Sequence, residues 1–126
     1  MPVIYQHRIY RSDLVANPSV LYLFGDNEER IGLGGQAAMM RGEPNAVGVC
    51  TKATPGGRNE FWGDDRFEEN CTVIDADLTR AFNHARKGGN IVIPSDGLGT
   101  GLAQLDTKAP RTFKYLSGRL SKLERT

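Results

Sequence analysis

Residues 20–27 have the sequence VLYLFGDN, in which five apolar residues run without interruption up to Gly25. A run of this length is typical of a strand, and the absence of polar positions favours a central strand buried on both faces. Residues 46–51 and 90–94 form two further stretches of strand length that are rich in apolar residues. The three segments predict strands of a β-sheet, with residues 20–24 as a central strand and residues 90–94 as a second buried strand.

The segments around these runs have the patterns of a further strand, helices and loops. A first strand is predicted at residues 3–10, and Ser12 is expected to cap a short helical turn before Pro18. Further helices are predicted at residues 36–41, from Asp75 or Asp77 to about residue 87, and at about residues 107–123, with an irregular segment at residues 53–70 and a turn at 55–57. Strands that alternate with helices, without an internal repeat, predict an α/β fold, namely a three-layer α/β/α domain with a mixed, mostly parallel central sheet.

Length and charge are those of an ordinary globular domain. The chain has 126 residues, so we expect residues 1–126 to form one domain. Its net charge of +1 argues against an electrostatic nucleic-acid binder. The basic residues near the C terminus suit the exposed face of an amphipathic helix: Arg111, Lys114, Arg119, Lys122 and Arg125.

Signals for export, membrane insertion and metal binding are missing from the sequence. Residues 1–10 do not have the pattern of a signal peptide, and no apolar run approaches the ~20 residues of a membrane span. Two cysteines, Cys50 and Cys71, are too few for a disulfide framework or a cysteine metal site. We therefore expect a cytoplasmic protein with no metal, no cofactor and no membrane partner, and the oligomeric state stays open.

Glycine is enriched, with 15 residues in 126 against the ~7% typical of proteins. Two groups of glycines each follow an apolar run: Gly25, Gly32, Gly34 and Gly35, then Gly97, Gly99 and Gly101. In open α/β sheets ligands bind beyond the carboxyl ends of the strands, where glycine lets backbone N–H groups approach an anion. The groups are therefore either a phosphate-binding cradle or ordinary tight turns. Neither has the spacing of a Walker A or a dinucleotide-binding motif.

The order and spacing of four segments resemble those of the macro domain family: residues 12–14 (SDL), 20–27 (VLYLFGDN), 34–38 (GGQAA) and 93–101 (IPSDGLGTG). The resemblance spans about residues 12–105. Residues 24–27 (FGDN), Gly34–Gly35 and Thr51–Lys52 also resemble a group of small phage-associated macro-like proteins. The resemblance implies a single macro-like domain that binds ADP-ribose or a related NAD-derived nucleotide.

The same resemblance implies a role for each matching residue. Asp13 would accept a hydrogen bond from the adenine amino group, Asn27 would contact the distal ribose, and glycine-loop amides would hold the diphosphate. The ligand-binding residues implied are Asp13, Asp26, Asn27, Gly34, Gly35, Gln36, Gly97, Leu98, Gly99, Thr100 and Gly101. Without the resemblance, Asp13 is an acidic residue in the first turn of a helix.

Lys52 is the first candidate for catalysis. It ends a strand, as does the lysine of macro domains that remove ADP-ribose from glutamate or DNA, where the amine attacks the anomeric carbon. Those enzymes carry an acid in the second glycine loop; Gly101 stands there in this sequence, and Asp96 and Asp106 flank it. Lys52 is otherwise an exposed lysine at a strand end or a contact to phosphate.

Several other side chains have two interpretations. Phe61 and Trp62 either stack on a base or anchor their loop. The acidic residues of the loop, Asp64, Asp65, Glu68 and Glu69, either hold a cation or are solvated. No catalytic or metal role is expected for His7 or His84, which are far apart in sequence.

Four functions follow from these alternatives: a module that binds an ADP-ribose-like nucleotide, an ADP-ribosyl hydrolase, a phage protein that sequesters a nucleotide signal, and a structural domain. The partner is a small nucleotide in the first three. Nucleic acid would take part only as an ADP-ribosylated substrate of the hydrolase.

Overall fold

The computed structural model describes residues 3–54 and 61–126 and has four strands and five α-helices in that part of the chain. They are β1 (Val3–Gln6), α1 (Arg11–Ala16), β2 (Leu21–Asn27), α2 (Ala37–Met40), β3 (Ala46–Lys52), α3 (Phe67–Arg86), β4 (Ile91–Pro94), α4 (Leu105–Lys108) and α5 (Pro110–Glu124). Short 3-10 turns occur at Asp64–Arg66 and Gly101–Ala103.

The strands form one sheet in the order β1-β4-β2-β3. Every pairing among the described strands is parallel. The predicted α/β fold is confirmed, and the sheet expected to be mixed and mostly parallel is parallel throughout these four strands. The parallel arrangement brings the carboxyl ends of all four strands to one edge of the sheet.

Each face of the sheet carries its own apolar cluster, because successive side chains of a strand point to opposite faces. Leu21 and Leu23 of β2 pack on the face covered by α3 and α5. Tyr22 and Phe24, the intervening residues, pack with α1 and α2 on the other face. The continuous apolar run of β2 therefore fills both cores and gives the three layers.

Two predicted elements near the N terminus are shorter or differently capped. β1 ends at Gln6 rather than at residue 10, since its last partner on β4 is Pro94. The cap of α1 is Tyr10 rather than Ser12. The Asp13 carboxylate accepts the backbone N–H of Tyr10 at 2.8 Å, which is the reverse half of a capping box.

Helix α3 begins at Phe67, two to three turns before the predicted start at Asp75 or Asp77. The earlier start is supported by Asn70, which is fully buried and donates from Nδ2 to Gly63 O and Thr112 Oγ1, both at 3.1 Å. Part of the segment expected to be irregular is thus helical. The turn predicted at residues 55–57 lies outside the described residues.

The predicted last helix is two helices, α4 and α5, separated at Ala109. Pro110 has no N–H to continue α4, and it disfavours helical geometry at the residue before it. Ala109 accordingly has a φ of −144° and a ψ of 68°, and Pro110 opens α5. No helix in the described part of the chain is long and apolar enough to cross a membrane.

Candidate functional site

A cleft of about 620 Å³ lies at the carboxyl ends of β2, β3 and β4. Its volume is within the range of small-molecule sites, and its position is the one where open α/β sheets bind ligands. Its walls come from the strand ends, from both glycine loops and from His7, and they comprise His7, Gly25, Asp26, Asn27, Ile31, Gly32, Leu33, Gly34, Gly35, Gln36, Ala37, Arg41, Thr51, Lys52, Pro94, Asp96, Gly97, Leu98, Gly99, Thr100, Gly101 and Ala103.

The cleft brings together every site residue predicted from the sequence except Asp13. Lys52 and Asp96 line it together with the residues expected to hold the ligand. The two glycine groups, more than sixty residues apart in the chain, face the same space because β2 and β4 are neighbours in the sheet.

The second glycine loop, residues 97–101, has backbone donors without an acceptor among the described residues. Gly97, Gly99 and Gly101 have φ angles of +87°, +87° and +64°, a region that favours glycine. The backbone N–H groups of residues 98–101 make no hydrogen bond to any described residue. Leu98 and Gly99 are buried, and buried backbone donors are almost always paired with protein, water or a ligand.

The first glycine loop, residues 31–36, has the same property. Gly32 and Gly35 have φ angles of +101° and +57°. Within the described part of the chain, the N–H groups of residues 31–36 find no acceptor. Two loops with unpaired N–H groups therefore border one cleft.

Arg41 fixes the shape of the first loop. Its guanidinium donates to three successive backbone carbonyls, those of Arg30 at 2.8 Å, Ile31 at 3.3 Å and Gly32 at 2.9 Å. It also forms an ion pair with Asp26 at 2.6 Å. Arg41 therefore holds the loop in place, and its counter-ion, Asp26, is buried in the sheet.

Asp26 belongs to a charge network and not to an open binding surface. Its side chain is 4% exposed and lies against Arg41 and, at 3.6 Å, Arg30. Arg30 in turn makes two bonds of 2.9 Å to Asp77 of α3. Asp26 lines the cleft as predicted, but its oxygens are engaged by the arginine that shapes the loop.

The side chain of Asn27 also serves the first loop. Its Nδ2 donates to Ile31 O at 2.8 Å, and its Oδ1 accepts the N–H of Glu29 at 3.0 Å. Asn27 is buried at the cleft wall. The amide therefore closes the turn that precedes the glycines, and Nδ2 retains one further N–H.

Asp13 lies outside the cleft lining. Besides Tyr10 N–H, its carboxylate accepts Gln6 Nε2 at 3.0 Å. This is the placement expected of an acidic residue in the first turn of a helix, the alternative to the adenine contact. The structure does not bring Asp13 together with the other predicted site residues.

Lys52 ends β3 with its side chain buried at the cleft wall, where it is 5% exposed. Burial disfavours the charged amine and lowers the pKa of Lys52. Its Nζ lies 4.9 Å from the centroid of the Phe61 ring, and Lys108 Nζ lies 5.3 Å from the same ring. Asp96 lines the cleft from the second loop and is exposed.

Phe61 and Trp62 differ in their roles. Trp62 is 1% exposed and donates from Nε1 to Glu28, so it anchors its loop instead of offering a free ring. Phe61 is half-buried beside the two lysines. Trp62 therefore anchors its loop and does not offer a ring for stacking on a base.

Of the acidic residues in this loop, Asp64 caps a helix. Asp64 accepts the N–H groups of Arg111 at 2.8 Å and Thr112 at 2.9 Å, at the start of α5. In the described part of the chain no three His, Cys, Asp or Glu side chains are placed to hold a metal ion.

Sequence reasoning missed His7, Arg41 and Thr51 as cleft residues. His7 reaches the cleft because β1 pairs with β4, and its Nδ1 lies 3.4 Å from Ser95 Oγ. Arg41 directly follows the short helix α2. The sequence around it does not indicate which backbone carbonyls its side chain contacts. Thr51 precedes Lys52 on the strand and donates to Asp26 O at 3.3 Å.

The chain was compared with curated proteins, with solved structures and with protein-family models. No curated protein and no solved structure matches it. No residue role therefore comes to the chain from a relative. A model described as a family of unknown function (DUF7831) matches residues 4–119, and the chain belongs to that family.

Proposed function

We propose that the cleft binds ADP-ribose or a related NAD-derived nucleotide, with the diphosphate between the two glycine loops. The observation that carries this proposal is the set of backbone N–H groups at residues 31–36 and 98–101, which border one cleft and have no acceptor among the described residues. Converging backbone donors bind phosphate because each N–H offers partial positive charge at close range. A diphosphate supplies the acceptors that these donors lack.

The size and charge of the cleft agree with such a ligand. A volume of about 620 Å³ accommodates a dinucleotide-sized molecule rather than a phosphate alone. The basic side chains of the lining are Lys52, His7 and the Asp26-paired Arg41, and Asp96 is an acidic side chain beside them.

Calorimetric titration with ADP-ribose tests the proposal, with AMP and cyclic ADP-ribose as comparison ligands. We expect saturable binding of ADP-ribose in the micromolar range, about −8 kcal/mol. AMP, which has one phosphate, should bind more weakly. Absence of heat with all three ligands contradicts the proposal, whereas a preference for the cyclic nucleotide favours sequestration of a nucleotide signal.

A matched pair of threonine variants locates the ligand. Thr100 lines the second loop and donates to Asp96 O at 3.0 Å, and Thr107 lies outside the cleft and donates to Gln104 O at 3.1 Å. Thr100→Asp places a carboxylate beside the diphosphate and should abolish binding by like-charge repulsion. Thr107→Asp should leave the affinity unchanged. Equal affinities of the two variants would place the phosphate elsewhere.

An ADP-ribosyl hydrolase is the second candidate, and the burial of Lys52 favours it. A lysine with a lowered pKa has more neutral amine available to attack an anomeric carbon, where a C–N bond forms as the bond to the protein or DNA group breaks and that group leaves. Water then cleaves the C–N bond, which releases ADP-ribose and restores the lysine. We expect Lys52→Ala to abolish release of ADP-ribose from an ADP-ribosylated protein or DNA while ADP-ribose still binds. Wild-type protein that binds ADP-ribose but releases none supports the binding module instead.

A further inference from the structure

We propose that Ile31 and Leu33, at the mouth of the cleft, form the platform for the aromatic base of the bound nucleotide. This inference rests on the proposed function and specifies where the base lies. It differs from the position that Asp13 would give the adenine under the macro domain resemblance.

Ile31 and Leu33 are the large apolar side chains of the cleft that face solvent, with exposed fractions of 55% and 68%. The remaining apolar residues of the described lining, Ala37, Pro94, Leu98 and Ala103, are buried. Single exposed apolar residues are common on protein surfaces. Two of them on one glycine loop, both at the wall of a cavity, form an apolar surface that a ligand can cover.

Hydrogen bonds hold the backbone of the loop that carries these side chains. Ile31 and Leu33 are therefore exposed on a loop with a fixed backbone. Ile31 O accepts Asn27 Nδ2 at 2.8 Å and an Arg41 nitrogen at 3.3 Å. Gly32 O, between the two apolar residues, accepts Arg41 Nε at 2.9 Å. The backbone carbonyls of the loop accept hydrogen bonds from the protein, and the apolar side chains of Ile31 and Leu33 remain at the cleft.

Asp13 offers no comparable surface for a base. Its carboxylate already accepts two donors, Tyr10 N–H and Gln6 Nε2, and it does not line the cleft. A heterocycle on Ile31 and Leu33 instead covers apolar surface that is wet without ligand, which is favourable by roughly 25 cal/mol per Å².

The test compares four variants in calorimetric titrations with ADP-ribose. Leu33→Ser should weaken binding about ten-fold, because the base loses about 50 Å² of apolar contact. Leu33→Met, which keeps an apolar side chain, should stay within about two-fold of the wild type. Val15→Ser is the matched control, since Val15 is 65% exposed on α1 and lies outside the cleft. Asp13→Asn should also leave the affinity unchanged.

Denaturation in urea accompanies each titration and should give the wild-type midpoint for Leu33→Ser, whose side chain is in solvent. Wild-type affinity in Leu33→Ser, or a ten-fold loss in Asp13→Asn, overturns the platform while the nucleotide site stands. An equal loss in Val15→Ser also overturns it, because the effect would not be local. Wild-type protein that binds no ADP-ribose overturns the platform and the proposed function together.

Discussion

Gly48 of β3 leaves room for the carboxylate of Asp26 on β2. A Cβ atom at position 48 would lie 3.0 Å from Asp26 Cγ and would collide with Asp26 Oδ2. Asp26 is held on its other side by Arg41, whose guanidinium is bonded to the first glycine loop. A glycine in β3, the strand next to β2 at the edge of the sheet, is therefore part of the support of the candidate site.

Gly48→Ala should destabilise the protein, because the buried carboxylate must move away from its arginine partners. We expect a loss of about 2 kcal/mol in the free energy of unfolding, measured in urea. Gly118→Ala is the control: Gly118 is on α5, and a Cβ atom there meets nothing within 4 Å. That change should stabilise the helix by about 0.8 kcal/mol. A Gly48→Ala protein as stable as the wild type would show that Asp26 has room to shift without loss.

Arg41→Gln tests the network that supports the first loop. Asp26 has a 4% exposed side chain, so removal of Arg41 leaves a buried carboxylate with the longer ion pair to Arg30 and the hydrogen bond from Asn27 N–H at 2.8 Å. Loss of one partner of a buried ion pair costs about 3 kcal/mol in the free energy of unfolding. Denaturation in urea measures it.

Arg11→Gln is the matched control for this variant. Arg11 also bonds a carboxylate and backbone carbonyls, but its side chain is 42% exposed. Its loss should cost at most about 1 kcal/mol, as for exposed ion pairs. Similar losses in the two variants would mean that burial of Asp26 does not set the strength of the Arg41 contact.

The strands and the cleft could be predicted because their signals are local. β2, β3 and β4 are apolar runs, and parallel strands place the following loops at one edge of the sheet. The glycines after two of these strands therefore gave the position of the cleft. The positive φ angles at Gly97, Gly99 and Gly101 also follow from the local sequence, because glycine adopts them readily.

The remaining features depend on residues that are distant in the chain. The buried amide of Asn70 is satisfied by Thr112, 42 positions away, and no pattern near residue 70 contains that information. His7 reaches the cleft only because β1 pairs with β4. Asp13 likewise matches a sequence motif, but its carboxylate accepts a hydrogen bond from Gln6 and does not line the cleft.

Asp64→Asn should weaken the protein at neutral pH and reduce its sensitivity to acid. Burial alone would raise the pKa of Asp64, but hydrogen bonds from Arg111 and Thr112 outweigh it and hold that pKa below its ordinary value. The folded state thus favours the carboxylate. Its contribution is present above the unfolded pKa of about 3.9 and is lost as the pH falls through the lower folded value.

The measurement is urea denaturation of both proteins from pH 7 to pH 2. We expect a gap of about 1 kcal/mol at pH 7, as for other helix caps, which closes below about pH 4. Asp65→Asn is the control, because the exposed Asp65 side chain makes no hydrogen bond to a described residue. A gap that stays constant over this range would show that the charge of Asp64 does not contribute.

Gly97→Ala separates the structural cost of a left-handed glycine from its role at the cleft. Gly97 has a φ of +87° and Gly88, at the end of α3, has a φ of +83°; a Cβ atom meets nothing within 4 Å at either position. Alanine should therefore cost about 1 kcal/mol of stability at both sites, from backbone strain alone. Only Gly97 lines the cleft. A methyl group there stands in the path of the diphosphate, so Gly97→Ala should reduce ADP-ribose affinity at least ten-fold in calorimetry, whereas Gly88→Ala should retain it. If both variants bind equally well, residue 97 is a turn that the ligand does not approach.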